Sequence, residues 1–422
     1  MNYNLLFAKA KEKNISNLEI LEQTTKSLSI ETYDNSLDNH EISNLTIYKI
    51  KATYNNKEVT LTTEYLDDTI LNLLIDNSNY LEETKVRNTT KPKKSIINEV
   101  DYELSNSNTL IEKLFNLNKL KNDYQYLTNI NSIYTENIYK TKITTEDSCL
   151  IDTKKTYTYQ VEVVAIKDKE KSTYYNYKNS TNNAIDIENI ATIAIKNAIS
   201  KLDNINFNSG IYNIFLTNKV TSQIINSFIP IFTIETHKNH TSILEGKLNT
   251  KIFSDKVTIV EDPTNKSLIG KRLFDNDGIE TKYKEIVKEG IFKTILYDEK
   301  TAREDNKEST GNNYGTISAR NMYILPGTKT KKDILKDKDN YIIIDEVQGI
   351  HSGINITNGN ISIQSSGYLV KNNKKQPIKL FVLTTNIIEL LNNVIDITND
   401  LETISTTVSS PALFISNIKI SN

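Results

Sequence analysis

One cysteine, Cys149, is the only thiol in this chain of 422 residues, so no intramolecular disulfide can form and the sequence fits a reducing compartment. Its setting, EDSCLID, offers no cationic or basic neighbour to activate it, and it reads as a strand cysteine facing a core rather than a nucleophile. Glycine, proline, alanine and arginine are sparse while asparagine, lysine and isoleucine abound, a bias of AT-rich codon usage that makes Asn-x-Ser/Thr triplets uninformative. No stretch approaches the roughly 20 apolar residues of a membrane span, and Leu5 to Ala8 is far shorter than a signal-peptide core. That opening reads as an amphipathic helix, and a cytoplasmic protein with no membrane contact is expected.

Charge of one sign is missing too. Lys and Arg (51) nearly balance Asp and Glu (53), for a formal net charge of -2, whereas a protein that tracks phosphates needs a cationic face. Lysines gather at Lys91 to Lys94 and Lys329 to Lys338, but acidic residues follow or interleave, so nucleic acid is not the expected partner. No Gly-x-Ser-x-Gly elbow, Gly-rich phosphate loop or Cys-x-x-Cys pair occurs, which leaves acyl-serine, nucleotide and redox chemistry without their usual signs.

What is present is a globular composition, 37% hydrophobic and 25% charged, in a chain long enough for two cores. The reading is α+β: a tandem α+β duplication over about residues 1–205, with antiparallel sheets and flanking helices, followed by a mostly antiparallel β domain over 206–422. In the first copy Thr46, Tyr48, Ile50 and Ala52 alternate, a turn falls at Asn55-Asn56-Lys57, and Val59, Leu61 and Thr63 continue. Asp67 or Asp68 then caps a helix carrying Ile70, Leu71, Leu73 and Leu74. The second copy repeats the order with Tyr157, Tyr159, Val161 and Val163, a turn near Lys167-Asp168-Lys169, and a helix capped by Asp186 with Ile190, Ile193, Ala194 and Ala198 on one face. A helix precedes each copy, at about Leu5 to Lys13 and Thr109 to Lys121, and Glu82 to Asn98 is the expected linker.

The second half predicts a strand at Tyr212 to Leu216, a helix at Thr221 to Phe228, and hairpins turning at Lys288-Glu289-Gly290 and Asn372-Asn373. A short helix from Thr385 with Ile388, Leu391 and Val394 on one face precedes a last strand, ALFISNIKI. The domain should be partly closed, with few helices.

Candidate sites are few. Of the four histidines, His237 and His240 in ETHKNH form the only local pair that could share a helix face and a metal, yet Glu235 precedes the first histidine instead of following it as a peptidase base does. An exposed polar helix end is the expectation there. Three segments draw notice because glycine is scarce: GKRLFDNDG (Gly270, Arg272, Asp275, Gly278), STGNN (Ser309, Thr310, Gly311, Asn312) and QGIHSGINITNGN (Gly349, His351, Gly353, Asn355). They are either tight turns or the lining of a cleft for an extended peptide or a partner.

Those segments, in their order, resemble the TldD/PmbA family, also called modulators of DNA gyrase. DPTNKSLIGKRLFDNDG, the hairpin KYKEIVKEGIFKTILYDEKTARE, STGN, the QGIHSGIN…NGNISIQSSGYLVKNN run and TTNIIELLNNVIDITNDLE with the final strand carry the likeness, together with AKEK…LEILEQTTKSLSIETYDNSLD at the start. The resemblance implies a cytoplasmic metallopeptidase system of two related subunits, one of which holds zinc through His-Glu-x-x-x-His and a late cysteine. Here ETHKNHTSILEGKLN stands at that motif and no cysteine follows Cys149. The chain is thus similar to the PmbA- or TldE-type subunit: no catalytic or metal residue of its own, zinc only in a TldD-like partner, an extended peptide as ligand, and a homodimer when isolated. Two alternatives stay open, a stand-alone metallopeptidase using His237, His240 and His351, and a regulatory homodimer without peptidase activity.

Overall fold

The computed structural model describes residues 3–83 and 95–422. Most of the expected linker and the cluster Lys91 to Lys94 lie outside the described residues. The first copy runs α1 (Tyr3–Glu12), β1 (Ser16–Tyr33), β2 (Ser36–Tyr54), β3 (Lys57–Thr63) and α2 (Thr69–Ser78). After a short strand β4 (Ile97–Asn98), the second repeats it as α3 (Ser107–Asn116), β5 (Leu127–Thr144), β6 (Cys149–Lys167), β7 (Glu170–Ser180) and α4 (Ile187–Ser200). Local chemistry explains the boundaries. Asn55 and Asn56 both take positive φ, the requirement of a tight hairpin that this glycine-poor chain meets with asparagine. Asp186 accepts the Asn189 N–H as the expected cap, and at α2 it is Asp67 that accepts the Thr69 N–H.

The two copies do not form separate sheets. β1 pairs antiparallel with β5, from Ile20↔Thr144 to Tyr33↔Asn131, which joins two three-stranded meanders into one seven-stranded sheet ordered β3-β2-β1-β5-β6, with β7 and β4 both on β6. Because strands of 18 and 19 residues far exceed the width of one copy, β1 serves both cores. Its Ile20 packs with Leu6, Leu71 and Leu74, and its Leu28 and Ile30 with Leu114, Ala191 and Ile195. All of these lie on the helical face of the sheet. Cys149, expected in a core, is a half-buried free thiol at the start of β6.

The second half begins with β8 (Gly210–Leu216), α5 (Asn218–Ser227) and α6 (Ile234–Lys238). A four-stranded sheet follows from β9 (Ile259–Glu261), β10 (Lys284–Lys288), β11 (Ile291–Phe292) and, beyond α7 (Glu299–Glu304), β12 (Met322–Ile324). After α8 (Lys331–Leu335), a larger sheet takes β13 (Tyr341–Gln348), β14 (Asn360–Lys371) and β15 (Lys374–Asn386), with α9 (Ile350–Gly353) between the first two. It is completed past α10 (Ile387–Asn392) by β16 (Val394–Ile397), a small ribbon of β17 (Glu402–Thr403) and β18 (Ser409–Ser410), and β19 (Leu413–Ser421). β19 pairs with both β8 and β15, so β8-β13-β14-β15-β19 closes on itself. One pairing, β13 with β8, is parallel, and both faces of β8 are buried accordingly. The helix expected from Thr385 starts at Ile387, and Val394 opens a strand. Among the described residues no helix is long and apolar enough to cross a membrane.

Candidate functional site

The face of the N-terminal sheet opposite its helices receives the second half, and strand register dictates what meets there. Residues directly opposite across antiparallel strands share a face, as do residues two apart along a strand. One row runs Ile47–Gln23–Thr141–Asp152 across β2, β1, β5 and β6, and the next runs Leu45–Thr25–Tyr139–Lys154. On the other side of the first row lie Leu21, Ile143 and Leu150, then Lys51 and Glu19.

The segment GKRLFDNDG crosses these rows in order. The Lys154 Nζ donates to the Ile269 carbonyl at 2.9 Å; Asp152 accepts from Lys271 Nζ at 2.6 Å and from the Leu273 N–H at 3.0 Å. Phe274 packs on Leu21, Ile143 and Leu150, and Asp277 pairs with Lys51. Gly270 is required by close approach, since a Cβ there would lie 1.9 Å from the Thr406 carbonyl oxygen.

STGNN is latched onto this crossing. Asn313 donates its N–H to Asp275 and its side-chain amide to Asp277, while its carbonyl accepts the Asn276 N–H at 2.7 Å. Burial pushes Asp275 above the ordinary carboxylate range, Asp277 adds to the push, and three backbone N–H donors oppose it. Thr310 accepts the Tyr297 N–H, Ser309 donates to the Tyr297 carbonyl, Gly311 holds φ +73° against Glu280, and Asn312 binds Glu261. The third glycine segment stands apart from these two. Gly349 caps α9 in a left-handed conformation, Gly353 abuts the Ser362 carbonyl, Asn355 closes an Asx turn onto the Thr357 and Asn358 N–H groups, and His351 is exposed. Two of the three candidate segments therefore form the seam between the halves, and the third is a turn of the closed sheet.

Above the two polar rows, Arg272, Arg320 and Thr406 roof a cavity of about 330 Å³. The Tyr314 ring borders both guanidinium groups, its centroid 4.4 Å from that of Arg320 and 5.7 Å from that of Arg272. Burial pulls the Lys154 ammonium down to about 7, and the positive charges of Arg272 and Arg320 add to the effect. Sequence reasoning singled out Arg272 but missed Lys154, Arg320, Tyr139 and Tyr314. The available signal was scarcity: two of the chain's four arginines line this one cavity.

The histidine pair corrects an expectation. His237 is buried rather than exposed: its ring donates from Nε2 to the Ile231 carbonyl at 2.9 Å and sits 5.9 Å from the Phe292 ring. Burial holds it below its ordinary pKa, hence neutral. His240 lies beyond the end of α6 with φ +55°, its Nδ1 2.7 Å from Glu245 in solvent. Among the described residues, no three of His, Cys, Asp and Glu gather as a metal would need. This donor set does not fit a resident zinc ion.

The fold, a long duplicated α+β sheet seated on a closed β domain, is that of a family named for its metallopeptidases. Residues 209–422 match the PmbA/TldA metallopeptidase C-terminal domain, and the chain belongs to the TldD/PmbA family. An uncharacterized protein of Methanocaldococcus jannaschii is 31% identical over 208 residues, covering 48% of this chain and 49% of its own length. A metalloprotease PmbA homolog of Buchnera aphidicola from Acyrthosiphon pisum is 28% identical over 208 residues, covering 49% and 46%. The chain thus spans about half the length of the curated relatives it matches. Among solved structures, TldE from Thermococcus kodakarensis superposes with a TM-score of 0.85 at 16% identity over 100% of both chains. A Thermotoga maritima protein classed as a candidate modulator of DNA gyrase gives 0.90 at 22% over 99% of both. At such identities these two bear on the fold alone.

Proposed function

We propose that this chain is a metal-free partner subunit that pairs with a zinc-bearing TldD-like relative in the cytoplasm and helps enclose an unfolded or leader peptide for that relative to cut. The carrying observation is the divergence of the two histidines at the position of the family's metal motif. Hydrolysis of an amide by zinc takes several converging donors and a base. Here one ring is spent on the Ile231 carbonyl inside the core and the other faces Glu245 outside it. The peptide is held through main-chain hydrogen bonds at strand edges, which tolerates varied side chains. In isolation the chain self-associates through the surface that otherwise meets the relative. Co-purification with a zinc-bearing relative tests this: a stable hetero-oligomer with peptidase activity is expected. Two chains that elute apart, with the relative fully active alone, would refute it.

A further inference from the structure

Four cations line the cavity at the seam, and three of them, Lys154, Arg272 and Arg320, have no ion-pair partner among the described residues. Asp152 lines it, but its oxygens already serve Lys271, Leu273 and Asn98, and Lys140 at the rim pairs with Glu99. Glu261, behind the roof, is taken by Asn312, Lys284 and the Arg320 N–H. Lys154 donates to the Ile269 carbonyl and lies 5.4 Å from the centre of the Tyr139 ring, Arg272 bonds Asn276 through one terminal nitrogen, and its buried Nε has no acceptor. The Arg320 guanidinium makes no hydrogen bond to a described residue and rests on the Tyr314 ring.

Such an arrangement is costly as pure architecture, because buried charge is ordinarily paired and like charges in one space repel. Cation–π contacts of the two arginines with Tyr314 and of Lys154 with Tyr139 offset only part of that. An oxyanion between the guanidinium groups would satisfy the orphaned donors in the bidentate geometry that arginine favours. The cavity is also two-sided. Its cationic end is Lys154, Arg272 and Arg320, the hydroxyl and amide groups of Thr25, Thr141 and Gln23 line the middle, and half-buried Ile47 and exposed Leu45 form the open far rim. A ligand with a charged head and a short apolar body matches this order, and free phosphate does not.

We propose that this cavity binds a carboxylate bearing an apolar group, namely the free C-terminal end of an extended peptide, with its last side chain against Leu45 and Ile47. Only the identity of the ligand rests on the peptide-enclosing role proposed above. The carboxylate would lie between Arg272 and Arg320, with Lys154 on its flank and Thr25 and Gln23 facing the last peptide group.

The test uses the purified full chain alone and an N-terminally labelled hexapeptide ending in leucine, in free-acid and C-terminally amidated forms, read by fluorescence anisotropy. The acid should bind at least about tenfold more tightly than the amide. R272Q, R320Q and K154M should each abolish the preference for the acid over the amide; three variants guard against one that does not fold. Equal binding of acid and amide overturns the site, as does inorganic phosphate binding with the same sensitivity to R272Q while neither peptide binds. A hetero-oligomer that forms and cuts peptide, combined with equal binding of acid and amide, removes this site and leaves the partner-subunit role standing. Selective acid binding by a chain that never pairs with a relative does the reverse.

Discussion

Asn312 donates its side-chain amide to both carboxylate oxygens of Glu261, at 2.9 and 3.0 Å, with both residues fully buried. Glu261 ends β9 in the middle of the small sheet, so the contact fastens STGNN to the core of the second half. Asn312→Ala removes donors from a buried charge that keeps Lys284 and the Arg320 N–H, and should cost about 2 kcal/mol. Asn312→Asp sets a second carboxylate against the first and should cost more. Urea unfolding measures both, and an N312D protein as stable as N312A would contradict the assignment.

Two glycines with nearly the same backbone separate strain from crowding. Gly290 (φ +76°) turns the β10–β11 hairpin with its α-carbon face against Phe253, where a Cβ would lie 2.0 Å from the carbonyl oxygen. Gly246 (φ +70°) has nothing within 4 Å. Gly246→Ala should therefore cost only about 1 kcal/mol of left-handed strain. Gly290→Ala should cost at least about 3 kcal/mol, since the hairpin or the segment carrying Phe253 must move. Similar losses in thermal unfolding would mean that the close approach at Gly290 does not matter.

Local chemistry made the elements readable: Asn55-Asn56, Asn372-Asn373 and Glu289-Gly290 are turns because each pair takes positive φ, and the β6 alternation holds from Tyr159 to Ala165, whereas in β2 Lys51 and Thr53 are buried on the opposite face as fully as Ile50 and Ala52. The union of the two copies was not readable, because the paired residues of β1 and β5 lie 98 to 124 positions apart and each strand alone is compatible with a sheet of its own. The seam was half readable. Arg272 stood out beside a scarce glycine, but Lys154 sits in KKTYTYQ and Arg320 in TISAR, ordinary polar stretches, and only the rows across four strands bring them to one cavity. His237 misled for the same reason. Its neighbours in ETHKNH are polar, while the Ile231 carbonyl and Ser242 that enclose it come from either side of the helix.

His237 should give the chain a specific acid sensitivity. Its folded pKa lies below the ordinary 6.5, so as pH falls through that value the unfolded chain takes up a proton that the folded chain refuses. Stability from this group is complete above about 6.5, declines below it, and levels off once the buried ring itself protonates. His237→Phe removes the titration but also the bond to Ile231, so the variant starts less stable at pH 7.5 by about 1 kcal/mol. The gap between variant and wild type should shrink as pH drops from 7 to 5; a gap independent of pH would show that His237 titrates normally.

Lys154 predicts the opposite trend, a gain of stability on losing a charged side chain. Its ammonium is pulled down to about 7 from 10.5 by burial and by the two arginines, so between those values the unfolded chain binds the extra proton and wild-type stability rises with pH. Methionine keeps the length of the side chain, removes the charge and gives up one bond to the Ile269 carbonyl. In buffer free of carboxylates and phosphate, K154M should be more stable than wild type by about 1 kcal/mol near pH 7, the half-buried position keeping the figure small. The advantage should fade as pH rises past about 10, where the lysine becomes neutral in the unfolded chain as well. A K154M protein less stable than wild type at pH 7 would mean that the ammonium is already well paired in the seam, and that the three cations do not share an unneutralised space.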